Sequence, residues 1–234
     1  MGTGEGGSFS FNQVGDFDAH IAREIRGYET LDAIVGSMAD VFLEDGTNMY
    51  DIGCSTGRFM NNLARKFHAE SDVSRQRSVR FVGYEPSENL TKDFVPASED
   101  VELRKERVDK NTTFENASLI SSLFTLQFMP THLRPQIIEN IYKGLNPNGA
   151  FIWAEKVHAS DAKLENVLNT QHQAFKREGS SADDILDKDL RLRGIMRPLT
   201  EEANRNMLAN AGFTRFETFW RVNNFMATIA LKSY

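Results

Sequence analysis

The sequence of 234 residues predicts an α/β fold built on a doubly wound, mostly parallel sheet with helices on both faces. Segments with strand character alternate with segments whose apolar residues recur at helical spacing. A small-residue turn at 53–57 joins a strand to the helix after it, and the run at 150–154 is short and wholly apolar. Such runs are typical of strands that a parallel sheet buries on both faces.

The first half of the chain contains a glycine-rich start, a helical region, and two strands joined by a helix. Residues 1–18 look flexible because Gly, Ser and Phe alternate there, and an apolar stripe predicts one or two helices at 19–42. The remaining boundaries are a strand ending at Asp51, a helix to about Phe67, a polar loop at 68–77 and a strand at 79–84.

The second half predicts further strands, a long helical region and a final antiparallel hairpin. The predicted segments are a helix at 87–94, strands at 101–108 and 117–124, a helix at 130–145, a strand at 150–154, mainly helix at 158–212, and strands at 213–220 and 223–231. No repeat or linker interrupts this order. We therefore expect one domain over 19–234 with a helical insertion at 158–212.

Composition and charge exclude several classes of protein. Hydrophobic residues make up 40% of the chain and charged residues 26%, which is ordinary for a globular protein. The net charge of -6 argues against broad, nonspecific nucleic-acid binding, although it leaves a local basic patch open, and we expect no direct nucleic-acid binding. No apolar run approaches the roughly 18 residues of a membrane span. The single cysteine, Cys54, excludes an internal disulfide, so we expect a reducing, cytoplasmic setting. His, Cys and acidic residues show no metal-ligand spacing.

The turn after the first predicted strand indicates a ligand site. Gly53 and Gly57 lack Cβ atoms where the chain must turn sharply, so a ligand can lie against the backbone. The N–H groups and the dipole of the next helix favour a carboxylate or phosphate. The GxGxxG fingerprint of dinucleotide-binding proteins is absent. The pattern D-x-G-x-x-x-G instead resembles the loop that holds the methionine end of S-adenosylmethionine (SAM) in SAM-dependent methyltransferases. An ordinary turn is the alternative.

A second signal lies at the end of the next predicted strand. Glu85 follows Gly57 by 28 positions. Nucleotide-binding α/β folds place an acid about 20 or more residues after the glycine loop, where it accepts hydrogen bonds from ribose hydroxyls. Glu85 could also be a solvated acid at a strand end. Together with the loop, it predicts a ligand that carries a nucleoside.

Later segments narrow the resemblance to one family. They are, in order, Phe124-Thr125-Leu126-Gln127-Phe128, the run 141–150, Glu155-Lys156, Phe175-Lys176-Arg177, Ala211-Gly212-Phe213 and Asn224-Phe225. The series is similar to the carboxy-S-adenosyl-L-methionine (carboxy-SAM) synthase family from about Tyr28 to Lys232. The resemblance implies a Rossmann-like class I methyltransferase fold with a seven-stranded sheet. It also implies conversion of SAM, with prephenate as carboxyl donor, to carboxy-SAM through a sulfonium ylide. The family acts as a homodimer and serves tRNA wobble-uridine modification.

The resemblance also implies roles for individual residues in SAM binding. Tyr28 matches a tyrosine that reaches the ligand, and Glu85 matches the ribose acid, usually Asp in the family. The residues expected around SAM are Tyr28, Asp51, Gly53, Cys54, Ser55, Gly57, Glu85, Arg107, Val108 and Leu123. Of these, Arg107-Val108 stand where the family has an Asp-Ile that brackets adenine, and Leu123 stands where it has an asparagine.

The family's carboxylate-binding arginine has no direct match. Counted without gaps from Phe175-Lys176-Arg177, its position falls at or near Asp189. The carboxylate of Asp189 would repel the new carboxylate of the ligand. Arg191 or Arg193 could replace it if the helix register shifts, because a guanidinium offers a planar fork of donors. Together with Arg197, they could equally form a solvated helix face.

Other residues allow two interpretations each. Asp51 could orient the SAM ammonium or cap the next turn. His158 and His172 could be general bases or ordinary helix residues. Trp153 and Trp220 could stack on adenine, although Trp153 lies in a buried strand and Trp220 is open to either role. Cys54 has no nearby base, which favours a packing role over a nucleophile.

No catalytic side chain is identified, and none is required as a covalent nucleophile, because positioning and electrostatics can suffice. Two other functions stay open. One is an ordinary SAM-dependent methyltransferase acting on a small-molecule or nucleic-acid acceptor, and the other is a noncatalytic SAM-binding partner subunit.

Overall fold

The computed structural model describes residues 17–69 and 78–234. Most of the predicted flexible start and of the polar loop at 68–77 lies outside the described residues. Phe17 and Asp18, assigned to that start, instead begin the first helix, because Asp18 finds partners in Thr56 and Arg58 on the body of the protein.

The described elements alternate between strand and helix, as predicted. They are α1 (Phe17–Glu24), α2 (Tyr28–Phe42), β1 (Thr47–Ile52), α3 (Arg58–Ala69), β2 (Val79–Tyr84), α4 (Glu88–Thr91), β3 (Val101–Arg104), β4 (Ala117–Leu123), α5 (Arg134–Gly144), β5 (Leu145–His158), α6 (Ala162–Lys176), α7 (Ala182–Leu192), β6 (Leu199–Thr200), α8 (Glu201–Ala211), β7 (Arg215–Val222) and β8 (Phe225–Leu231). A 3₁₀ turn, Leu126–Phe128, follows β4.

The strands form one mostly parallel sheet in the order β3-β2-β1-β4-β5-β8-β7. Strands β1 to β5 pair in parallel, whereas β8 runs antiparallel to β5 and to β7, which confirms the predicted seven-stranded sheet and final hairpin. The two-residue strand β6 was not predicted and pairs with the end of β5. The strand order reverses between β1 and β4, and ligands of such sheets bind in the crevice at that point.

Both faces of the sheet are buried, because successive side chains of a strand point to opposite faces. Met49 of β1 and Phe81 of β2 belong to a core cluster with residues of α2 and α3. Their neighbours Tyr50 and Val82 belong to a second cluster that includes residues of α5 and α8. The predicted insertion at 158–212 is therefore not uniform, since α8 contributes Leu208 to this second cluster.

Several boundaries differ from the prediction. Strand β5 begins at Leu145 rather than 150, because Leu145 pairs with Ala117 before a register shift resumes the ladder at Ala150. The predicted strand at 101–108 ends at Arg104, and the predicted helix at 87–94 keeps only Glu88–Thr91. Among the described residues, no helix has the length and apolar character needed to cross a membrane.

Candidate active site

A large cavity of about 920 Å³ opens at the carboxyl ends of the parallel strands. Its floor is the turn after β1, the end of β2 and the segment after β4. Its roof is α1 together with α6 and α7. The volume lies in the range of pockets that enclose a small-molecule ligand or cofactor.

The glycine turn has the strained backbone that its composition predicts. Gly53, Ser55 and Gly57 all have left-handed φ angles, of 74°, 55° and 74°. A Cβ at Gly53 would stand 2.2 Å from Thr125 Oγ1, so glycine is also required there by packing. A Cβ at Gly57 would stand 2.4 Å from Phe94 Cε2. Gly57 is absent from the cavity lining, so its role is to let the turn close.

Glu85 lies buried at the carboxyl end of β2 and binds the glycine turn directly. The backbone N–H of Ser55 donates to Glu85 Oε2 at 3.2 Å, and that of Ser87 donates to Oε1 at 2.9 Å. Burial raises the pKa of Glu85, while these two N–H groups oppose the rise. Each carboxylate oxygen keeps acceptor capacity for a ligand hydroxyl. Ser55 Oγ is buried without a hydrogen-bond partner among the described residues, so it is available to a ligand.

Asp51 is a second buried acid on the same floor. The Ser121 hydroxyl donates to Asp51 Oδ1 at 2.8 Å, and no backbone N–H of the turn donates to Asp51 within the described chain. The contacts therefore give no support to a capping role. Burial, with the charges of Glu85 and Asp32, raises the pKa of Asp51 to about 7. A cationic ligand group would favour its ionised form.

Helix α1 covers one side of the cavity through polar contacts. None of its side chains is fully buried. Asp18 lies 3.0 Å from Arg58 Nε, and Glu24 lies 3.0 Å from both Lys176 and Lys188. Sequence reasoning missed Glu24 and these lysines, because their meeting depends on how α1 packs against α6 and α7.

Most of the residues predicted to bind SAM come together here. The lining contains Tyr28, Asp51, Gly53, Cys54, Ser55, Glu85, Arg107, Val108 and Leu123. Tyr28 packs against Phe124 with 6.3 Å between ring centroids, and burial raises its pKa to about 12. Burial also raises the pKa of the Cys54 thiol far above its usual range, which favours the packing role over a nucleophile.

Both tryptophans lie away from the cavity. Trp153 is buried in the second core cluster and stacks on Phe151 with centroids 5.9 Å apart. Trp220 is buried in the first core cluster and lies against Gly27. Neither belongs to the cavity lining, so the structure gives no support to adenine stacking by either one.

The roof carries the residues around the expected carboxylate site. Asp189 and Arg193 both line the cavity, and their carboxylate and guanidinium stand 3.5 Å apart, whereas Arg191 is absent from the lining. His158, the last residue of β5, has its Nδ1 3.1 Å from Oε1 of Glu165 on α6. Burial and neighbouring lysines lower the pKa of His172 to about 4, so His172 is neutral at pH 7.

The site prediction missed Lys156, which lies near the carboxyl end of β5 and also lines the cavity. A signal was present in the sequence, because a lysine two positions after the apolar run 150–154 lies near the edge of the sheet where ligands bind. Within the described ranges, no group of three or more His, Cys, Asp or Glu residues is arranged to hold a metal ion.

Comparison with known sequences gives close relatives over nearly the full chain. Carboxy-S-adenosyl-L-methionine synthase from Staphylococcus epidermidis is 32% identical over 220 residues, which are 93% of this chain and 92% of the relative. The protein of the same name from Shewanella oneidensis is 32% identical over 230 residues, 96% of this chain and 92% of the relative. No protein-family model matches the chain.

Solved structures confirm the class I SAM-dependent methyltransferase fold. Human N-acetylserotonin methyltransferase in complex with SAM has a TM-score of 0.53 at 15% identity. The match covers 80% of this chain and 48% of that one, so this chain spans about half of its length. A candidate O-methyltransferase from Nostoc punctiforme has a TM-score of 0.54 at 12% identity, covering 87% of this chain and 56% of that one. At such identities the likeness concerns the fold alone.

The raised pKa of Asp51 predicts how stability depends on pH. Its folded-state pKa of about 7 exceeds the ordinary value of 3.8, so the folded protein holds a proton that the unfolded chain has released. The free energy of unfolding should therefore fall by up to about 1.4 kcal/mol per pH unit between these values through this group. Asp51→Asn keeps the acceptor for Ser121 and removes the titration.

We expect urea unfolding of the ligand-free protein to show that the free energy of unfolding of Asp51→Asn, relative to that of wild type, rises from pH 5 to pH 8 by about 2 kcal/mol or more. Asp187→Asn, at an exposed position on α7, is the matched control and should follow wild type. Parallel curves for wild type and Asp51→Asn would contradict the assignment of a raised pKa.

Proposed function

We propose that this chain, which belongs to the family of carboxy-S-adenosyl-L-methionine synthases, converts SAM into carboxy-SAM with prephenate as the carboxyl donor. The observation that carries the proposal is the buried Glu85, whose carboxylate accepts hydrogen bonds from the turn and keeps lone pairs toward the cavity. A ribose diol presents two donors and needs such an acceptor. The unpartnered Ser55 hydroxyl beside it is consistent with a ligand at the same place.

We propose a role in SAM binding for each part of the cavity floor. Glu85 would accept from the ribose hydroxyls, and Asp51 would face the ammonium of the methionine moiety. The turn at 53–55 would approach the methionine end closely, since Gly53 has no side chain there. Arg107, Val108 and Leu123 would flank the adenine. Tyr28 would reach the ligand from the start of α2.

The proposed chemistry requires positioning more than reactive side chains. SAM, when bound, supplies a methyl group that its sulfonium makes both electrophilic and weakly acidic. The protein would hold this group in a site that α1, α6 and α7 cover, which limits access of water. Cys54 is disfavoured as a nucleophile because its thiol stays protonated. The rate enhancement would come from orientation and from fixed charges.

We further propose a homodimer formed through α6 and α7. Leu164 and Val167 are 56% and 51% exposed on one face of α6, and Leu186 and Leu190 are 53% and 50% exposed on one face of α7. Four large apolar side chains at helical spacing are suited to packing against a second copy of the chain. We also propose a cytoplasmic location. The product would serve tRNA wobble-uridine modification, without direct contact between this chain and nucleic acid.

The first test of this function is mass spectrometry of the small-molecule ligand released from the purified protein, before and after incubation with SAM and prephenate. We expect carboxy-SAM to form. SAM or its demethylated product without a carboxylated species would contradict the proposal. Turnover of SAM with an added acceptor would then favour an ordinary methyltransferase, and binding without turnover would favour a noncatalytic subunit.

The ribose assignment is tested by Glu85→Ala. Loss of a buried charged acceptor should weaken SAM binding in calorimetry by about 1–3 kcal/mol. Circular dichroism and thermal melting should show that the variant stays folded. Glu99→Gln, at an exposed position outside the cavity lining, should bind SAM as wild type does. Unchanged SAM affinity in Glu85→Ala would exclude Glu85 as the ribose acceptor.

The dimer is tested by light scattering coupled to size-exclusion chromatography. Leu186→Asp should convert a dimer to a monomer, because a charge buried in an apolar interface is costly. Val41→Asp is the matched control, since Val41 is 76% exposed on α2 and distant in sequence from the proposed interface. A wild-type monomer, or a dimer that persists in Leu186→Asp, would contradict this interface.

A further inference from the structure

The cavity contains a lysine whose charge has no counter-ion in the described chain. Lys156 is half-buried at the carboxyl end of β5 and lies over the ring of Phe225, with Nζ 5.9 Å from the centroid. Within the described residues, no carboxylate lies within 4.0 Å of its Nζ and no acceptor within hydrogen-bond distance. Burial lowers the pKa of Lys156, which is the expected cost of desolvating an unpaired ammonium.

The acids nearest to Lys156 are engaged elsewhere. Glu165 lies 3.1 Å from His158 Nδ1 and also accepts from the backbone N–H of Ala159 at 2.6 Å. Asp189 stands 3.5 Å from Arg193. Glu155, the preceding residue, is fully buried, and burial raises its pKa to about 8, so it is largely uncharged at pH 7. The charges of Asp189 and Glu165 raise the pKa of Lys156, but burial outweighs them, and among the described residues no carboxylate forms an ion pair with its Nζ.

Three other cations of the cavity have carboxylate partners. Lys176 and Lys188 share Glu24, each at 3.0 Å. Arg58 receives Asp32 and Asp18, also at 3.0 Å. The positive charge of Lys156 is therefore available to a ligand in a way that theirs is not.

The surroundings of Lys156 suit a small anion. His172 packs against the same Phe225 ring, with centroids 5.0 Å apart. Burial, helped by the charges of Lys156, Lys176 and Lys188, lowers the pKa of His172 to about 4, so its imidazole is neutral at pH 7. A neutral imidazole can still donate one hydrogen bond to an anion.

The sheet fixes the distance between Lys156 and the glycine turn. Asp51 of β1 pairs with Ser121 of β4, which pairs with Ile152 of β5, so these strands are about 10 Å apart and Lys156 lies roughly 13 Å further along β5. Gln127 anchors the lysine backbone, because the N–H of Lys156 donates to Gln127 Oε1 at 2.9 Å. A ligand bound at Glu85 and Gly53 that extends across β4 would reach the region of Lys156 with its far end.

We infer that Lys156 holds the carboxylate that distinguishes carboxy-SAM from SAM. The inference rests on the proposed function, which supplies a carboxylate next to the sulfonium. Lys156 would bind the carboxylate in place of the arginine that the family resemblance implies at or near Asp189. Arg193 is less suited to that part, because its guanidinium already faces Asp189. An ammonium in a partly desolvated cavity binds a carboxylate more strongly than one in water.

The test is calorimetric titration of SAM and of carboxy-SAM into wild type and three variants. Lys156→Met keeps most of the apolar stem but removes the charge, and Lys156→Arg keeps the charge. Lys163→Met, at an exposed position on α6, is the matched control. Thermal melting checks folding, and Lys156→Gln, which also removes the charge, takes the place of Lys156→Met if that variant fails to fold.

We expect wild type, Lys163→Met and Lys156→Arg to bind carboxy-SAM more tightly than SAM. Lys156→Met should lose about 10- to 100-fold of this preference, with its SAM affinity within about 3-fold of wild type. If wild type makes and prefers carboxy-SAM but Lys156→Met keeps the full preference, the role of Lys156 is excluded and the proposed function survives. If wild type binds SAM but neither makes nor prefers carboxy-SAM, the proposed function itself fails, and the inference fails with it.

Discussion

The arrangement of the site depends on the burial of two carboxylates, Asp51 and Glu85, beside one glycine turn. Parallel strands bring their carboxyl ends to one edge, and the reversal of strand order between β1 and β4 opens a crevice there. Burial raises the pKa of both acids, so each is held at a cost in stability. Hydrogen bonds from Ser55, Ser87 and Ser121 offset part of that cost. A ligand that brings a cation to Asp51 and a diol to Glu85 can offset more of this desolvation cost. The same burial that destabilises the ligand-free floor therefore favours ligand binding.

The roof is held by a different kind of interaction. Helix α1 buries no side chain fully and is fixed by ion pairs of Asp18 and Glu24 with cations on the body and on α6 and α7. Partly exposed ion pairs contribute little net stability compared with an apolar core. The sheet and its two core clusters therefore provide rigidity, while the covering helix is attached by contacts that can separate at low cost. Such a division suits a site that must close over a ligand and later release it.

The floor could be predicted from sequence because its signals are local. The glycine turn, the acid after β2 and the apolar strands all follow from patterns within a few residues, and parallel pairing brings them together. The roof could not be predicted in this way, since the meeting of Glu24 with Lys176 and Lys188 depends on how distant helices pack. The burial of Trp220 likewise depends on its contact with Gly27, almost two hundred positions away. The early start of β5 depends on pairing of Leu145 with Ala117.

The carboxylate of Asp189 illustrates why one position cannot be judged by alignment alone. A negative charge in the cavity would oppose an anionic ligand if it stood unpaired. Arg193 follows Asp189 by four residues at the end of α7, where the helix places the two side chains on one face and brings their charges to 3.5 Å. The pair is close to neutral as seen from the cavity, so Asp189 no longer excludes an anion. Asp189 also engages Arg193, so this guanidinium is less available to an anion. Lys156, near the end of β5, then supplies a positive charge with which no carboxylate of the described residues forms an ion pair.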